Sequence, residues 1–474
     1  MLIWSKIRQN HWLILSFLFI FILRFVQVGE RFHFGIDEEY QSLLGLSLIK
    51  DFRPIWIGTS QADTGFYLGP GFVYLHALLL RLSNLDPLIL AYSASLLGFL
   101  IAVALYYTTR QLFNSRVALI SLIIYAGSAF ILTFDRRFWN PSPIPLISIL
   151  FFWAYQKSLN DSRWYVLIAL LLAGSFHVHA SLLIYLPITI YIILTRLKKK
   201  SFNITFKTGL LSLIVFLALY FPLIVFDVVH NFDNLLTPVR LLSRAGSSFE
   251  PGLMFRHLQI MISTLANFIL FINLASIFRI AVFLILVIIN IHFLLTAKGL
   301  ANKILKIIQT FYFIMFLFYP GTINDYYYLG WLPFQAIVLA QLMCKLKLLP
   351  LVMLLLVYIS VNTAVFVNRP LSGNLLAKKA LVQKVSRYLD SRPFYLETDR
   401  DYLYFGGWRY LFEAYGQKPA ASQADSMFGW IYPTEISSQK PRLKVIVSEN
   451  KVKLLKESKI TITSKPFTAN ILKD

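Results

Sequence analysis

The chain has 474 residues, 57% of them hydrophobic and 14% charged, with a mean hydropathy of +0.64. A soluble protein of this length carries far more charge. The composition describes a polytopic membrane protein, and its long unbroken apolar runs call for helices rather than barrel strands. The net charge of +22 implies no nucleic-acid partner, because Lys and Arg sit in short loops between apolar runs, where they orient a membrane protein.

Taken in chain order, Lys6 and Arg8 precede an apolar run at 11–28. This places the N-terminus on the cytoplasmic side and the following loop outside. The run lacks a small-residue cleavage site and reads as a retained anchor helix. Residues 29–67 read as a long polar and aromatic loop containing Asp37, Glu38 and Glu39 in succession. Carboxylates this close repel one another, so at least one should have a raised pKa or a cationic partner. Such an arrangement prepares a base or binds a metal or polar substrate; a solvated acidic loop is the alternative. Glu39 is expected to face water.

The next run, 68–82, is short for a span. If it crossed, every basic loop after it would move outside, including Arg110/Arg116, Lys157/Arg163, Arg196 with Lys198–Lys200, Lys298/Lys303/Lys306 and Lys345/Lys347. The positive-inside rule therefore makes it a juxtamembrane helix. Later runs at 88–108, 117–134, 143–157, 164–178, 180–195, 208–227, 275–295, 304–320, 330–344 and 349–367 bring the total to about eleven crossings. The predicted fold is all-α and polytopic over 1–369. Residues 370–474 are expected to form a small extracytoplasmic α/β domain, with an amphipathic helix opening at Lys378-Lys379 and a strand at 443–447.

The loop after the third crossing reads Phe134-Asp135-Arg136-Arg137-Phe138-Trp139-Asn140-Pro141-Ser142. Two adjacent arginines outside run against the charge bias. Guanidinium groups fork onto phosphate, and Trp139 suits either a sugar face or the membrane interface. Arg240, Arg244 and Arg256 add charge in a long outer loop with His230 and Asp233. His177 and His179 are two apart and point to different faces of a helix, so they share no metal unless the helix has ended. Either a cavity-lining or a packing role fits His179. Asn324-Asp325-Tyr326-Tyr327-Tyr328 could line a sugar site or anchor at the interface. Cys344 stands alone, which excludes a disulfide framework and a Cys-based metal site. Walker A, His-Glu-x-x-His and Gly-x-Ser-x-Gly patterns are absent from the sequence.

The acidic pair after the first span, Ile57-Gly58-Thr59-Ser60 leading into Gly65-Phe66-Tyr67-Leu68-Gly69-Pro70, and Arg137-Phe138-Trp139-Asn140-Pro141-Ser142 together resemble a known group. It is the bacterial relatives of dolichyl-phosphate-mannose protein mannosyltransferases, in the GT-C class that also includes lipid A aminoarabinose transferases. The resemblance covers approximately 10–370. It implies transfer of a sugar from a polyprenyl-phosphate carrier to a protein, lipid or glycan acceptor at the outer face of the plasma membrane, by direct displacement with inversion. It makes Asp37 the general base and Glu38 a neighbouring ligand or orienter, and it leaves room for a divalent metal. One departure is Asn140, which stands where many relatives carry a second acidic residue. On chemical grounds Arg136 or Arg137 would stabilise the departing phosphate, and Trp139, Asn140, His179 and Tyr327 would contact substrate. A flippase for lipid-linked sugars needs inverted repeats or matching broken spans, which the sequence lacks. A non-catalytic envelope-polysaccharide assembly protein would leave the acidic stretch without a role.

Overall fold

The computed structural model describes residues 2–61, 64–202, 204–246, 251–272, 275–371, 373–398, 406–437, 441–449 and 460–473. It opens with α1 (Leu2–Phe25), a single turn α2 (Val28–Arg31), and α3 (Ile36–Asp51). The 29–67 segment is therefore not a plain loop: the three carboxylates occupy the first turn of α3. Negative charge is favourable there, next to unpaired backbone N–H groups. The Glu38 carboxylate reaches back to accept from Gly35 N at 3.0 Å, half of a capping box.

α4 (Gly71–Leu82) is short and amphipathic. The bundle follows as α5 (Leu88–Leu112), α6 (Ser115–Ala126), α7 (Ala129–Phe134), α8 (Ile144–Ser158), α9 (Trp164–Ser175), α10 (Tyr185–Lys198) and α11 (Phe206–Val229). The expected crossing at 117–134 is broken between α6 and α7 at Gly127-Ser128. Ser128 Oγ donates to Phe268 O at 2.7 Å, and Asn362 Oδ1 accepts from Ala129 N at 2.9 Å, so the freed backbone at the break is satisfied. The region expected as a long loop after α11 holds two further helices, α12 (Asp233–Gly246) and α13 (Pro251–Ile269). α13 packs into the bundle through His257, Met261, Leu265 and Phe268, all buried. Then come α14 (Ser276–Thr296), α15 (Leu300–Leu317), α16 (Leu332–Met343) and α17 (Leu348–Asn368).

Among the described residues six helices are long and apolar enough to cross a membrane: residues 180–198, which end in α10, together with α5, α11, α14, α15 and α17. Shorter apolar stretches lie in α1, α4, α6, α9 and α16. Leu210, Leu211, Leu213, Ile214 and Leu217 of α11 are exposed, as side chains facing lipid are.

The C-terminal part contains α18 (Leu375–Leu389), β1 (Phe394–Thr398), α19 (Trp408–Tyr415), β2 (Ala421–Ser422), β3 (Leu443–Glu449), β4 (Ile460–Ser464) and β5 (Phe467–Lys473). Its sheet runs β2-β1-β3-β5-β4, parallel at β1–β2 and β1–β3 and antiparallel at β3–β5 and β5–β4. The helix expected at Lys378-Lys379 and the strand expected at 443–447 are both present.

One hydrophobic core joins this sheet to the helices at the end of the bundle. Phe32, Phe34, Leu43 and Leu46 from the α3 region, Phe72 and Leu80 of α4, and Leu381, Trp408, Phe412 and Val445 pack in the same cluster. Phe32 and Phe34 are fully buried there, each contributing roughly 1.5–3 kcal/mol. Polar ties add to it. Lys378 Nζ donates to Phe34 O at 2.9 Å and Gly406 O at 2.6 Å, Tyr410 Oη donates to Leu85 O at 2.9 Å, and Lys379 pairs with Asp86 at 2.8 Å.

Candidate active site

The first turn of α3 sets three carboxylates in three environments. Asp37 is 44% exposed, while Glu38 and Glu39 are fully buried. Glu39 was expected to face water. It instead points into the junction with α19, where its Oε1 accepts from Tyr410 N at 2.9 Å. Burial pushes Glu39 up to about 7, against the pull of the Tyr410 hydrogen bond, Arg409 and Lys378.

Arg137 bridges the other two acids. Its Nη2 lies 2.9 Å from Asp37 Oδ2 and its Nε 3.0 Å from Glu38 Oε1. Its guanidinium also stacks on Trp139, with Cζ 3.6 Å from the ring centroid. Burial raises the Asp37 pKa first; Arg137 opposes that and the Glu38 charge adds to it. The arginine that seemed misplaced outside is held by carboxylates of the same chain.

Arg136 goes elsewhere. It is 3% exposed, and its Nη2 donates to Leu23 O at 2.7 Å and Val26 O at 2.8 Å. The two arginines hold different groups: Arg137 the carboxylates of α3, Arg136 the carbonyls at the end of α1. Asp135 is also withdrawn, paired at 2.7 Å with Arg24 inside the protein.

Asp37 opens onto a cavity of about 480 Å³. Tyr40, Gln61, Trp139, Asn140, His179, Tyr326 and Tyr327 line it, and Met427, Phe428 and Trp430 of the C-terminal part form one wall. Trp139, Asn140, His179 and Tyr327 thus meet Asp37 at one cavity, as the expected contacts require. Asn140 Nδ2 donates to Val178 O at 3.0 Å, which fixes the amide. α9 ends at Ser175, so His177 and His179 are not held to one helix. His179 Nδ1 accepts from Ser181 N at 3.1 Å and caps the turn Ala180–Ile184. Its Nε2 lies 3.4 Å from the Gln61 amide nitrogen, and Tyr326 and Tyr327 flank the ring edge-on. His177 bonds Gly71 N and Leu219 O and does not line this cavity. Arg240 pairs with Asp233, and His230 bonds Phe226 O; neither reaches the cavity, nor does Arg256. The Arg244 side chain lies outside the described residues.

Tyr326 comes from the cluster expected to line a sugar site or anchor at the interface, whereas Tyr40 and Gln61 join without having been singled out for it, as do Met427, Phe428 and Trp430 of the C-terminal part. Tyr40 stacks on Phe428 with centroids 5.6 Å apart, a pairing across almost four hundred residues that leaves no mark in the sequence. The cavity does not fit a divalent metal. Asp37 and Glu38 are both taken by Arg137, and among the described residues no group of three or more His, Cys, Asp or Glu side chains could hold one.

Residues 68–225 match the family model described as dolichyl-phosphate-mannose-protein mannosyltransferase. That segment includes Arg137–Ser142 and His179 but begins after Asp37. No curated protein matches the sequence. Among solved structures the chain is similar to ArnT from Cupriavidus metallidurans bound to undecaprenyl phosphate, at a TM-score of 0.63 and 12% identity over 98% of each chain. The apo state of the same protein gives 0.62 and 11%, again over 98% of both chains. At that identity the likeness establishes the fold. The resemblance to GT-C membrane proteins is borne out: residues 68–225 carry the pattern of the dolichyl-phosphate-mannose-protein mannosyltransferase family, on a fold shared with ArnT over nearly the whole chain.

Proposed function

We propose that the protein is a glycosyltransferase that moves a sugar from a polyprenyl-phosphate carrier to an acceptor at the outer face of the membrane. The observation that carries this reading is the Asp37 carboxylate, exposed to a cavity of about 480 Å³ while Arg137 grips it from behind. Support for the carrier class comes from the ArnT structure bound to undecaprenyl phosphate. The outward orientation rests on the distribution of Lys and Arg.

In this mechanism an acceptor hydroxyl or amine gives its proton to Asp37 as its heteroatom attacks the anomeric carbon. The bond from that carbon to the phosphate oxygen breaks, and the polyprenyl phosphate leaves with the electron pair. Direct displacement inverts the centre. Glu38 is buried and bonded to Gly35 N, so it positions Arg137 rather than touching substrate. Proton uptake by Asp37 removes one of the two negative charges facing Arg137. The guanidinium is then less neutralised at the moment the phosphate gains charge. Asn140, Gln61 and Tyr327 supply donors for sugar hydroxyls or phosphate oxygens, and Trp139 and Tyr326 supply ring faces. Residues 1–369 are the transferase domain, and residues 370–474 an extracytoplasmic domain that completes the cavity wall.

Asp37→Asn keeps the size of the side chain and removes the base. Transfer assayed with a panel of polyprenyl-phosphate sugars should fall by about 10²–10⁴-fold with the protein still folded. A variant with undiminished turnover would remove Asp37 from the reaction.

A further inference from the structure

A second cavity, of about 220 Å³, lies on the other side of Arg137. Arg31, His33, Arg136, Phe366 and Arg369 line it, along with Arg137 itself. We propose that it is a second binding site, for a phosphate monoester or an anion of similar charge and shape. The proposal concerns binding alone and does not depend on Asp37 being the base.

The argument starts from charge. Arg137 faces two carboxylates, so it adds no net positive charge to the space behind it. Arg31, Arg136 and Arg369 differ: among the described residues none of them has a carboxylate within ion-pair distance. Arg31 donates to Phe366 O at 2.9 Å, Val367 O at 3.0 Å and the Gln27 amide at 2.8 Å. Arg136 donates to the carbonyls of Leu23 and Val26, and its Nε–H is buried without an acceptor. Arg369 is exposed and rests on the Phe271 ring, with Cζ 4.2 Å from the centroid. Glu30 is the carboxylate whose charge acts on Arg31, and Asp135, which acts on Arg136, is spent on Arg24.

Three guanidiniums around one opening, held by neutral acceptors, repel one another unless an anion lies between them. Burial, aided by the charges of Arg24 and Arg31 and opposed by Asp135 and Glu30, draws Arg136 down to about 10. Arg31 and Arg136 both lie over the Phe366 ring, at 4.7 and 5.6 Å. Carbonyls and an aromatic ring fix direction without consuming charge, so the positive charge remains for an anion, and Arg31 keeps one N–H free on each Nη. The size admits a phosphoryl group with its attached carbon and some water, not a whole lipid-linked sugar. The two cavities share no lining residue; Arg137, which lines this one, is paired with Asp37, which lines the other.

The test uses purified full-length protein in detergent and inorganic phosphate as probe, with chloride holding ionic strength constant. Millimolar phosphate should raise the thermal midpoint of the wild type and of Asp37→Asn alike, and not that of Arg31→Gln/Arg369→Gln. Arg369→Gln alone guards against a folding defect, since Arg369 makes no hydrogen bond to a described group; its half-saturating phosphate concentration should rise about tenfold. Undecaprenyl phosphate then identifies the source. If it abolishes the phosphate increment, the carrier lipid fills the site; if the two increments add, the site takes a phosphate borne by another molecule. No increment in the wild type, or an equal one in both arginine variants, would overturn the proposal.

Discussion

The backbone N–H of Tyr410 donates to the carboxylate of Glu39 across 2.9 Å, tying α19 to the helix that presents Asp37. The bond buries an acid beside the proposed base, with its second oxygen unpartnered.

Glu39 gives the protein a pH-dependent stability. Its folded pKa of about 7 exceeds the ordinary 4.5, so between these values the folded state holds more protons than the unfolded one. This contribution is intact below pH 4.5 and is lost as pH rises to 7, by an amount on the order of 3 kcal/mol. Glu39→Gln keeps an acceptor for Tyr410 N and cannot ionise. Its thermal midpoint between pH 5 and 7.5 should decline less than that of the wild type. Parallel curves would show that Glu39 does not titrate in this range.

Arg137 should control the acid limb of the rate profile. Asp37 must be ionised to act, and Arg137 counters both burial and Glu38 in keeping it so. Arg137→Gln removes that counterweight. The acid limb of kcat/KM should move to higher pH, and kcat should drop by about 10²–10³-fold. Arg137→Lys should recover part of the shift. An unmoved limb would separate Arg137 from Asp37.

The Arg24–Asp135 pair is sealed inside the protein, with side chains 0% and 8% exposed. Removing one partner leaves a buried charge, so Asp135→Ala should cost about 3–5 kcal/mol. Arg24→Met/Asp135→Leu should recover most of it, read as the yield and thermal midpoint of monodisperse protein in detergent.

Trp430 is 65% exposed and lines the cavity. Trp430→Ala should therefore raise KM for donor or acceptor about tenfold with the thermal midpoint unchanged. Trp430→Phe should fall between. If KM stays put, the C-terminal wall bounds the cavity without touching substrate.

Much of this fold could be read from apolar runs, charge placement and the amphipathic pattern at α18. α3 could not. Its apolar residues, among them Ile36, Leu43, Leu44, Leu46 and Ile49, point around the whole helix because it is packed on several sides, so no single stripe shows. α13 does carry a stripe, with His257, Met261, Leu265 and Phe268 buried, but Arg256, His257 and Gln259 interrupt its apolar run. At the site, repulsion between neighbouring carboxylates correctly called for a cation, and Arg137 is that cation. The same reasoning failed for Arg136 and Glu39. Sequence gives the charge of a side chain but not which side of the chain it leaves from, and Glu39 found Tyr410, 371 residues on.

The packing of α3 also bears on how the protein matures. Its first turn is buried against Tyr410, Trp408 and Phe412, and Lys378 pins the strand of chain before it at Phe34. These partners follow α3 by more than three hundred residues, so they are translated long after it. The apolar helices can enter the bilayer in order of synthesis, but the residues around Asp37 have nothing to pack on until α19 arrives. Until then the first turn of α3 lacks the partners that bury Glu39. A chain cut before α18 should reach the membrane yet show no transfer activity.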